Sequence, residues 1–184
     1  MKEAGCIRVE FGIESGSPKV LEYLRKGITL SQIKQAFALA KEVGLSTMGF
    51  VILNAPGETK ADILETQRLV MDVDPDFLQI SFATPYPGTE LYKRCLESGI
   101  EIEEDWSNYI FLNRHVIKNK SISEEELDRL MRQMQRSFYL RPKYFLKMIL
   151  YVLSSPKRFK TVFWAGAIAL KKLLFKPKSC IRNG

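Results

Sequence analysis

The pattern of apolar and polar positions predicts three strands within residues 1–105, each followed by helix. The first strand alternates from Ile7 to Ile13, the second is an almost continuous apolar run from Thr47 to Leu53, and the third covers Phe77 to Phe82. Strands that alternate with helices pair in parallel through right-handed crossovers. Because the second run lacks polar alternation, we expect that strand to be covered on both faces.

Capping residues mark where the predicted helices begin. A hydroxyl residue followed three positions later by an acid or amide is the spacing of a capping box. This spacing occurs at Thr29 with Gln32, Thr59 with Asp62, and Ser123 with Glu126. Ser17 before Pro18, and Thr89, are further predicted N-caps.

Charge is distributed unevenly along the chain. The whole sequence has 28 basic and 21 acidic side chains, a net charge of +7. From Arg129 to Gly184 there are 14 Lys or Arg and no Asp or Glu. The preceding residues contain 14 basic and 21 acidic side chains, a net charge of −7. Two electrostatically different regions are therefore joined in one chain.

The three cysteines, Cys6, Cys95 and Cys180, are far apart in the sequence, with no C-x-x-C or C-x-x-x-C-x-x-C spacing. They predict neither a disulfide framework nor a self-contained metal site, and a reducing compartment is expected. The first residues lack the charged and apolar regions of a signal peptide. We therefore expect a cytoplasmic protein that could also contact a membrane surface peripherally.

The composition predicts three regions: three β/α units in 1–105, a connector and helix in 106–140, and a basic amphipathic helical tail in 141–184. The longest weakly polar stretch of the tail, Thr161 to Leu170, is far shorter than the roughly 20 residues of a spanning helix. Apolar and cationic residues together suit an interfacial helix on anionic lipid, or packing against the acidic remainder of the chain. Nucleic acid is not expected, since no recognised binding module accompanies the charge.

Polar residues follow the first predicted strand, at the edge where parallel sheets bind ligands. Glu14 could accept hydrogen bonds from ammonium or hydroxyl groups of a ligand, with Ser15 and Ser17 as donors. The ordinary alternative is a solvated loop acid and a capping serine. Lys26 could bind a ligand carboxylate or only complement a helix C-terminus.

The loops after the second and third strands allow two interpretations each. Asn54 and Glu58 are explained either by turn and cap chemistry or by a binding pocket. The proline-rich loop at 85–88 is either a β-turn or a rigid support for Tyr86 at a strand end. His115, the only histidine, has no ligands in metal spacing and is interpreted as structural. No nucleophile elbow, P-loop or dinucleotide fingerprint occurs, so these patterns alone predict only ligand-facing loops on a parallel sheet.

Four segments together resemble one enzyme family. They are Phe11 to Ser17, Lys26 to Thr29, Phe50 to Thr59 and Pro85 to Tyr92, in the order and spacing of radical S-adenosylmethionine (radical SAM) enzymes. The resemblance covers about residues 1–99 and is closest to the branch that often carries an N-terminal cobalamin-binding domain. The basic C-terminal region is similar to the tail of some members of that branch.

The resemblance implies the C-terminal portion of a partial TIM-type (β/α) barrel with parallel strands, followed by a basic helical extension. In this family S-adenosylmethionine lies across the strand ends and chelates a [4Fe-4S] cluster, whose electron generates a 5'-deoxyadenosyl radical that abstracts hydrogen. Glu14 and its serines would lie near ribose and methionine, and the second and third strands near adenine. The predicted cofactor-binding residues are Glu14, Ser15, Ser17, Lys26, Ile52, Asn54, Ser81 and Ala83.

The sequence departs from the family at two points. Asn54 stands where the family usually has Gly, and the cluster-binding C-x-x-x-C-x-x-C is absent. Three strands also leave open sheet edges that need a covering partner. The resemblance thus implies a C-terminal half that is inactive alone and acts with an N-terminal half carrying the cluster and, in some relatives, cobalamin. The alternative is a non-catalytic α/β binding module that associates through its basic tail with a membrane surface or an acidic partner.

Overall fold

Three parallel strands form one sheet in the residues that a computed structural model describes, 1–109 and 115–153. They are β1 (Arg8–Glu14), β2 (Ser46–Leu53) and β3 (Phe77–Phe82), in the spatial order β1-β2-β3. The predicted α/β class with parallel pairing is therefore confirmed. Two compact units divide the chain, Met1–Met131 and Arg132–Gly184, and the sheet lies in the first.

Helices follow each strand and continue beyond the sheet. Their bounds are α1 (Pro18–Tyr23), α2 (Leu30–Glu42), α3 (Lys60–Val73), α4 (Glu90–Glu97), α5 (Glu124–Tyr139) and α6 (Pro142–Leu153), with a 3-10 turn at Trp106–Asn108. Each helix in the described ranges is too short or too polar to span a bilayer. The helix predicted from Lys157 to Phe175 lies outside the described residues. The strand expected between Tyr109 and Ile117 lies mostly outside the described residues, and Ile117 at its end forms an isolated antiparallel bridge with Ile102.

Capping explains where α2 and α3 begin. Thr29 and Gln32 form a reciprocal capping box at the start of α2, and Thr59 and Asp62 form another at the start of α3, as predicted. Ser17 occupies the N-cap position of α1, but its side chain makes no capping hydrogen bond. The prediction of a capping serine is therefore wrong in its chemistry, because the Ser17 hydroxyl donates to the Asp62 carboxylate at 2.6 Å instead.

The two faces of the sheet differ in burial. Along β2 every second residue is buried, from Thr47 to Leu53, while Met48, Phe50 and Ile52 are only half-buried. Helices α2 and α3 pack against β2 on the buried face. The expectation that β2 is covered on both faces is therefore wrong for the described residues, because its apolar side chains divide evenly between a helix-covered face and an open one. The open face carries Gly12, Phe50, Ile52, Gln79 and Ser81, which are paired across the strands.

Strand β1 is irregular near its end. The register with β2 shifts between Gly12 and Glu14, so Ile13 is an extra residue of the kind found in β-bulges. Ile13 is fully buried and lies over Gly49, where a β-carbon would come within 2.8 Å of Ile13 Cδ1. At the other end, the predicted first strand position, Ile7, lies outside the strand and is 80% exposed.

Gly16 lies in close contact with α3. A β-carbon at Gly16 would be 2.5 Å from the Glu65 carbonyl oxygen and 2.6 Å from Thr66 Cα, both backbone atoms. Its amide donates to Thr66 Oγ1 at 2.8 Å. The loop after β1 can therefore approach α3 this closely only with glycine at position 16.

We expect Gly16→Ala to lower the free energy of unfolding by about 3 kcal/mol, because backbone atoms must move to admit the methyl group. Chemical denaturation monitored by circular dichroism measures the change. Gly27→Ala is the matched control: its φ of 66° is unfavourable for alanine, but nothing lies within 4 Å, so a cost of about 1 kcal/mol is expected. Equal costs for the two variants would contradict the proposed steric contact.

Candidate functional site

The carboxyl ends of the three strands meet at one edge of the sheet, because all three strands are parallel. Glu14 ends β1, Asn54 follows β2, and Ala83 follows β3. The Ala83 amide donates to the Leu53 carbonyl at 2.8 Å, which joins the last two of these ends directly. Glu14 and Asn54 both have left-handed backbones, with φ of 59° and 64°. Strained non-glycine residues of this kind are enriched at functional sites, so this edge is the candidate site.

An ion pair marks the β1 end of the site. Glu14 Oε1 and Lys26 Nζ are 2.6 Å apart, and the two side chains are 14% and 36% exposed. Both groups lie over Gly12: a β-carbon there would be 2.2 Å from Glu14 Oε1 and 2.7 Å from Lys26 Nζ. A carboxylate and an ammonium group are thus held together on the open face of the sheet. Such a pair can bind a ligand that carries both charges.

Ser15 and Ser17 are directed toward α3. Ser15 is fully buried, and its hydroxyl lies 3.1 Å from that of Thr66, while Ser17 donates to Asp62. Burial acts to raise the pKa of Asp62, but hydrogen bonds from Ser17 and Thr59 hold it below its ordinary value. Both serine hydroxyl groups therefore make hydrogen bonds to side chains of α3. The structure brings both serines to the predicted loop but gives them the role of bracing it.

A second group of predicted residues lies at the β2 and β3 ends. Asn54 is fully buried, and its Nδ2 donates to the Ile117 carbonyl at 2.9 Å, while its Oδ1 has no hydrogen-bond partner among the described residues. Ile52 and Ser81 are paired across the strands, and the Ser81 hydroxyl donates to the Val51 carbonyl at 3.3 Å. Ile52 packs on the apolar cluster that includes Ala83 and Ile117.

Glu58 is a fully buried carboxyl group beside this second group. Its Oε2 accepts from the Ala55 amide at 3.1 Å, and its Oε1 lacks a hydrogen-bond partner within the part of the chain described. Burial raises the pKa of Glu58 to about 8, although hydrogen bonds from the Ala55 and Asn54 amides act in the opposite direction. The side chain is therefore mainly protonated at neutral pH.

Helix α4 is attached to the segment that follows β1. Arg25 and Glu90 form an ion pair at 2.9 Å, and Arg94 donates to the Tyr23 carbonyl while lying 4.0 Å over the Tyr23 ring. Burial raises the pKa of the Tyr23 hydroxyl and of the Cys95 thiol on α4. The first and third β/α units are thus joined by contacts between α4 and the residues that precede Lys26.

No three His, Cys, Asp or Glu side chains converge as a metal site within residues 1–109 and 115–153. Cys6 is partly exposed and Cys95 is buried, and Cys180 lies outside the described residues. His115 Nε2 lies 3.0 Å from Asp128, and its ring centroid is 4.1 Å from that of Phe82. The histidine thus contacts an acid and an aromatic ring within its own unit.

The sequence patterns did not identify the residues that support Glu14. Gly12 provides room for the ion pair, while Thr66 and Asp62 bind the loop that follows it. A signal was present in α3, because Thr59, Asp62 and Thr66 recur at spacings of three and four on the face of a helix that otherwise buries apolar residues. Polar residues at such positions indicate hydrogen bonds to a neighbouring segment.

Comparison with known proteins identifies the relatives of the chain. Residues 1–70 match the sequence model of the Radical SAM superfamily. An uncharacterized methyltransferase of Pyrococcus horikoshii is 40% identical over 149 residues, which are 81% of this chain and 32% of that protein. An anaerobic magnesium-protoporphyrin IX monomethyl ester cyclase of Cereibacter sphaeroides is 30% identical over 78% of this chain and 23% of that protein. The chain therefore spans about a third or less of the length of these relatives.

A solved structure supports the fold. Coproporphyrinogen III oxidase (HemN) from Escherichia coli, a radical SAM enzyme, matches with a TM-score of 0.54 and 18% identity. The match covers 76% of this chain and 27% of that chain. This similarity concerns the fold alone, and it confirms the predicted partial TIM-type barrel.

We expect Glu58 to give the stability a pH dependence that Glu58→Gln removes. The pKa is about 8 in the folded protein and near 4.5 in the unfolded chain, so between these values only the folded state holds the proton. The contribution is therefore fully present below about pH 4.5 and is lost as pH rises through about 8, by on the order of 5 kcal/mol in total. Denaturant unfolding from pH 5 to 9 measures it.

The matched control is Glu42→Gln, at the exposed end of α2. Its free energy of unfolding should follow the wild-type pH curve. A Glu58→Gln curve parallel to that of the wild type would show that the buried carboxyl group does not cause the pH dependence.

Proposed function

The chain belongs to the radical SAM superfamily, and from this premise we propose that it supplies the S-adenosylmethionine-facing and substrate-facing edge of a catalytic domain. The iron-sulfur cluster of that domain is bound by sequence outside this chain. The observation that carries the proposal is the Glu14–Lys26 pair on the open face, at the carboxyl edge of a parallel sheet. Ligands of such sheets bind at this edge.

The charges of the pair match the amino-acid end of S-adenosylmethionine. That end has an ammonium group, which a carboxylate such as Glu14 can accept from, and a carboxylate, which Lys26 can pair with. Ribose hydroxyl groups are alternative donors to Glu14. When bound and reduced by a cluster, S-adenosylmethionine supplies a carbon-centred radical that abstracts hydrogen from an unreactive carbon.

Under this proposal, some of the remaining predicted residues support the site and others contact the ligand. Ser15 and Ser17 brace the loop that carries Glu14, because their hydroxyl groups are bonded to α3. Ile52, Ser81 and the backbone near Asn54 line the adenine side, since Ile52 and Ser81 lie together on the open face. Asn54 keeps a buried Oδ1 without a partner among the described residues, an acceptor of the kind that adenine or an ordered water can satisfy.

Cluster ligands are what this sequence lacks. This sequence has no C-x-x-x-C-x-x-C, and a [4Fe-4S] cluster needs convergent thiolates. We therefore propose that this chain alone is inactive and acts with a second part that binds the cluster. The methyltransferase names among the relatives are compatible with a cobalamin-binding domain in that second part.

We expect S-adenosylmethionine to perturb the backbone amide NMR signals of Gly12, Glu14 and Lys26 when it is titrated into the isotope-labelled chain. Glu14→Gln and Lys26→Gln should each weaken this binding about tenfold, the effect of losing one charged hydrogen bond. Glu42→Gln should leave the affinity unchanged.

A truncated ligand tests the assignment of Lys26. Methylthioadenosine keeps the adenine and ribose but lacks the amino-acid carboxylate, so Lys26→Gln should weaken S-adenosylmethionine binding and leave methylthioadenosine binding unchanged. Equal loss for both ligands would contradict the proposed pairing. The isolated chain can also be treated with iron and sulfide. If it then held a stable cluster and cleaved S-adenosylmethionine reductively, the proposal that a second part binds the cluster would be overturned.

A further inference from the structure

Helix α6 exposes a continuous apolar surface. Phe145, Leu146, Ile149 and Leu150 are 62%, 60%, 49% and 60% exposed. At 3.6 residues per turn these four positions lie on one side of the helix, and we name them the apolar strip. Single exposed apolar residues are ordinary in proteins, but four adjacent large ones on one helix indicate an interaction surface.

The opposite side of α6 is held by aromatic contacts to the end of α5. The Tyr144 ring lies 5.5 Å from that of Phe138 and 5.1 Å from that of Tyr139, between ring centroids. Arg141 lies 4.5 Å over the Phe138 ring, and Phe138 is fully buried. By helical spacing Tyr144 lies on the side of α6 opposite the centre of the apolar strip, so its contacts with the end of α5 leave the strip on the other side of the helix.

Charge indicates what kind of surface the strip contacts. The chain from Arg129 onward has 14 basic and no acidic residues, and Lys143 and Lys147 lie on α6 itself. A strongly cationic region favours an anionic partner, because basic residues near an anionic membrane are attracted to its surface. An acidic protein offers the charge, but a lipid surface offers both the charge and an apolar layer for Phe and Leu side chains.

We propose that α6 docks on an anionic lipid surface, with the apolar strip inserted at the level of the headgroups. The helix has 12 residues and is therefore about 18 Å long, well short of the roughly 30 Å hydrocarbon thickness. It lies along the surface. Basic side chains of this cationic region attract the headgroups, and lipid binding falls as salt rises.

Co-sedimentation of the full chain tests the proposal, with phosphatidylcholine vesicles with and without phosphatidylglycerol. The double variant Leu146→Gln/Leu150→Gln should lower the apparent partition coefficient on anionic vesicles at least about tenfold, because two apolar side chains no longer enter the lipid. Leu39→Gln/Leu96→Gln is the matched control: both leucines are exposed, at 54% and 57%, and lie outside α6. Its partition coefficient should equal that of the wild type, and circular dichroism should show the same helix content in all three proteins.

Several outcomes would overturn the proposal. These are equal binding to both kinds of vesicle, an equal loss in the two double variants, and binding that is independent of salt. Self-association that Leu146→Gln/Leu150→Gln abolishes, without vesicle binding by the wild type, would assign the strip to contacts between copies of the chain. Binding to an acidic protein but to neither kind of vesicle would assign it to a protein partner.

Discussion

The candidate site depends on the contact between the loop after β1 and the backbone of α3. Gly16 permits this contact because any larger residue would meet the Glu65 carbonyl and Thr66 Cα. Thr66 then accepts from the Gly16 amide, and Ser15 and Thr66 share a hydrogen bond. Because these contacts hold the loop against α3, they also fix the position of Glu14 at the end of β1. The left-handed backbone of Glu14 is the cost of turning the chain there, about 1 to 2 kcal/mol.

Burial and charge act differently at the two ends of the site. At the β1 end, Glu14 and Lys26 form an ion pair and are both partly exposed. A ligand that carries one positive and one negative group can therefore reach both side chains. At the β2 end, Glu58 is removed from water, and its carboxyl group is stabilised as the neutral acid. The charged ligand contacts that we propose therefore belong to the first end, and Asn54 Oδ1 is the polar acceptor proposed at the second. The second end provides a rigid, mostly apolar wall.

Local patterns were sufficient to predict much of the fold. The strands, their parallel pairing and two capping boxes follow from short-range spacing, and all of them are present. The burial of β2 could not be predicted, because an apolar run does not show which face receives helices. The roles of Ser15 and Ser17 could not be predicted either: a hydroxyl group after a strand can face a ligand or a helix, and Asp62 and Thr66 are distant in sequence. The resemblance to a family predicts a site at this edge but does not distinguish these two cases.

The distinction between contacting and bracing residues also affects how a substitution at this edge is interpreted. Loss of Ser17 would leave the Asp62 carboxylate, only 9% exposed, without its 2.6 Å donor, so the loop and the start of α3 would both be disturbed. Loss of the Lys26 charge would leave α3 untouched, since Lys26 pairs with Glu14 on the open face. Reduced ligand binding therefore indicates direct contact only where the stability of the protein is unchanged. Loss of the Lys26 charge leaves the hydrogen bonds to α3 in place, whereas loss of either serine hydroxyl removes one of them.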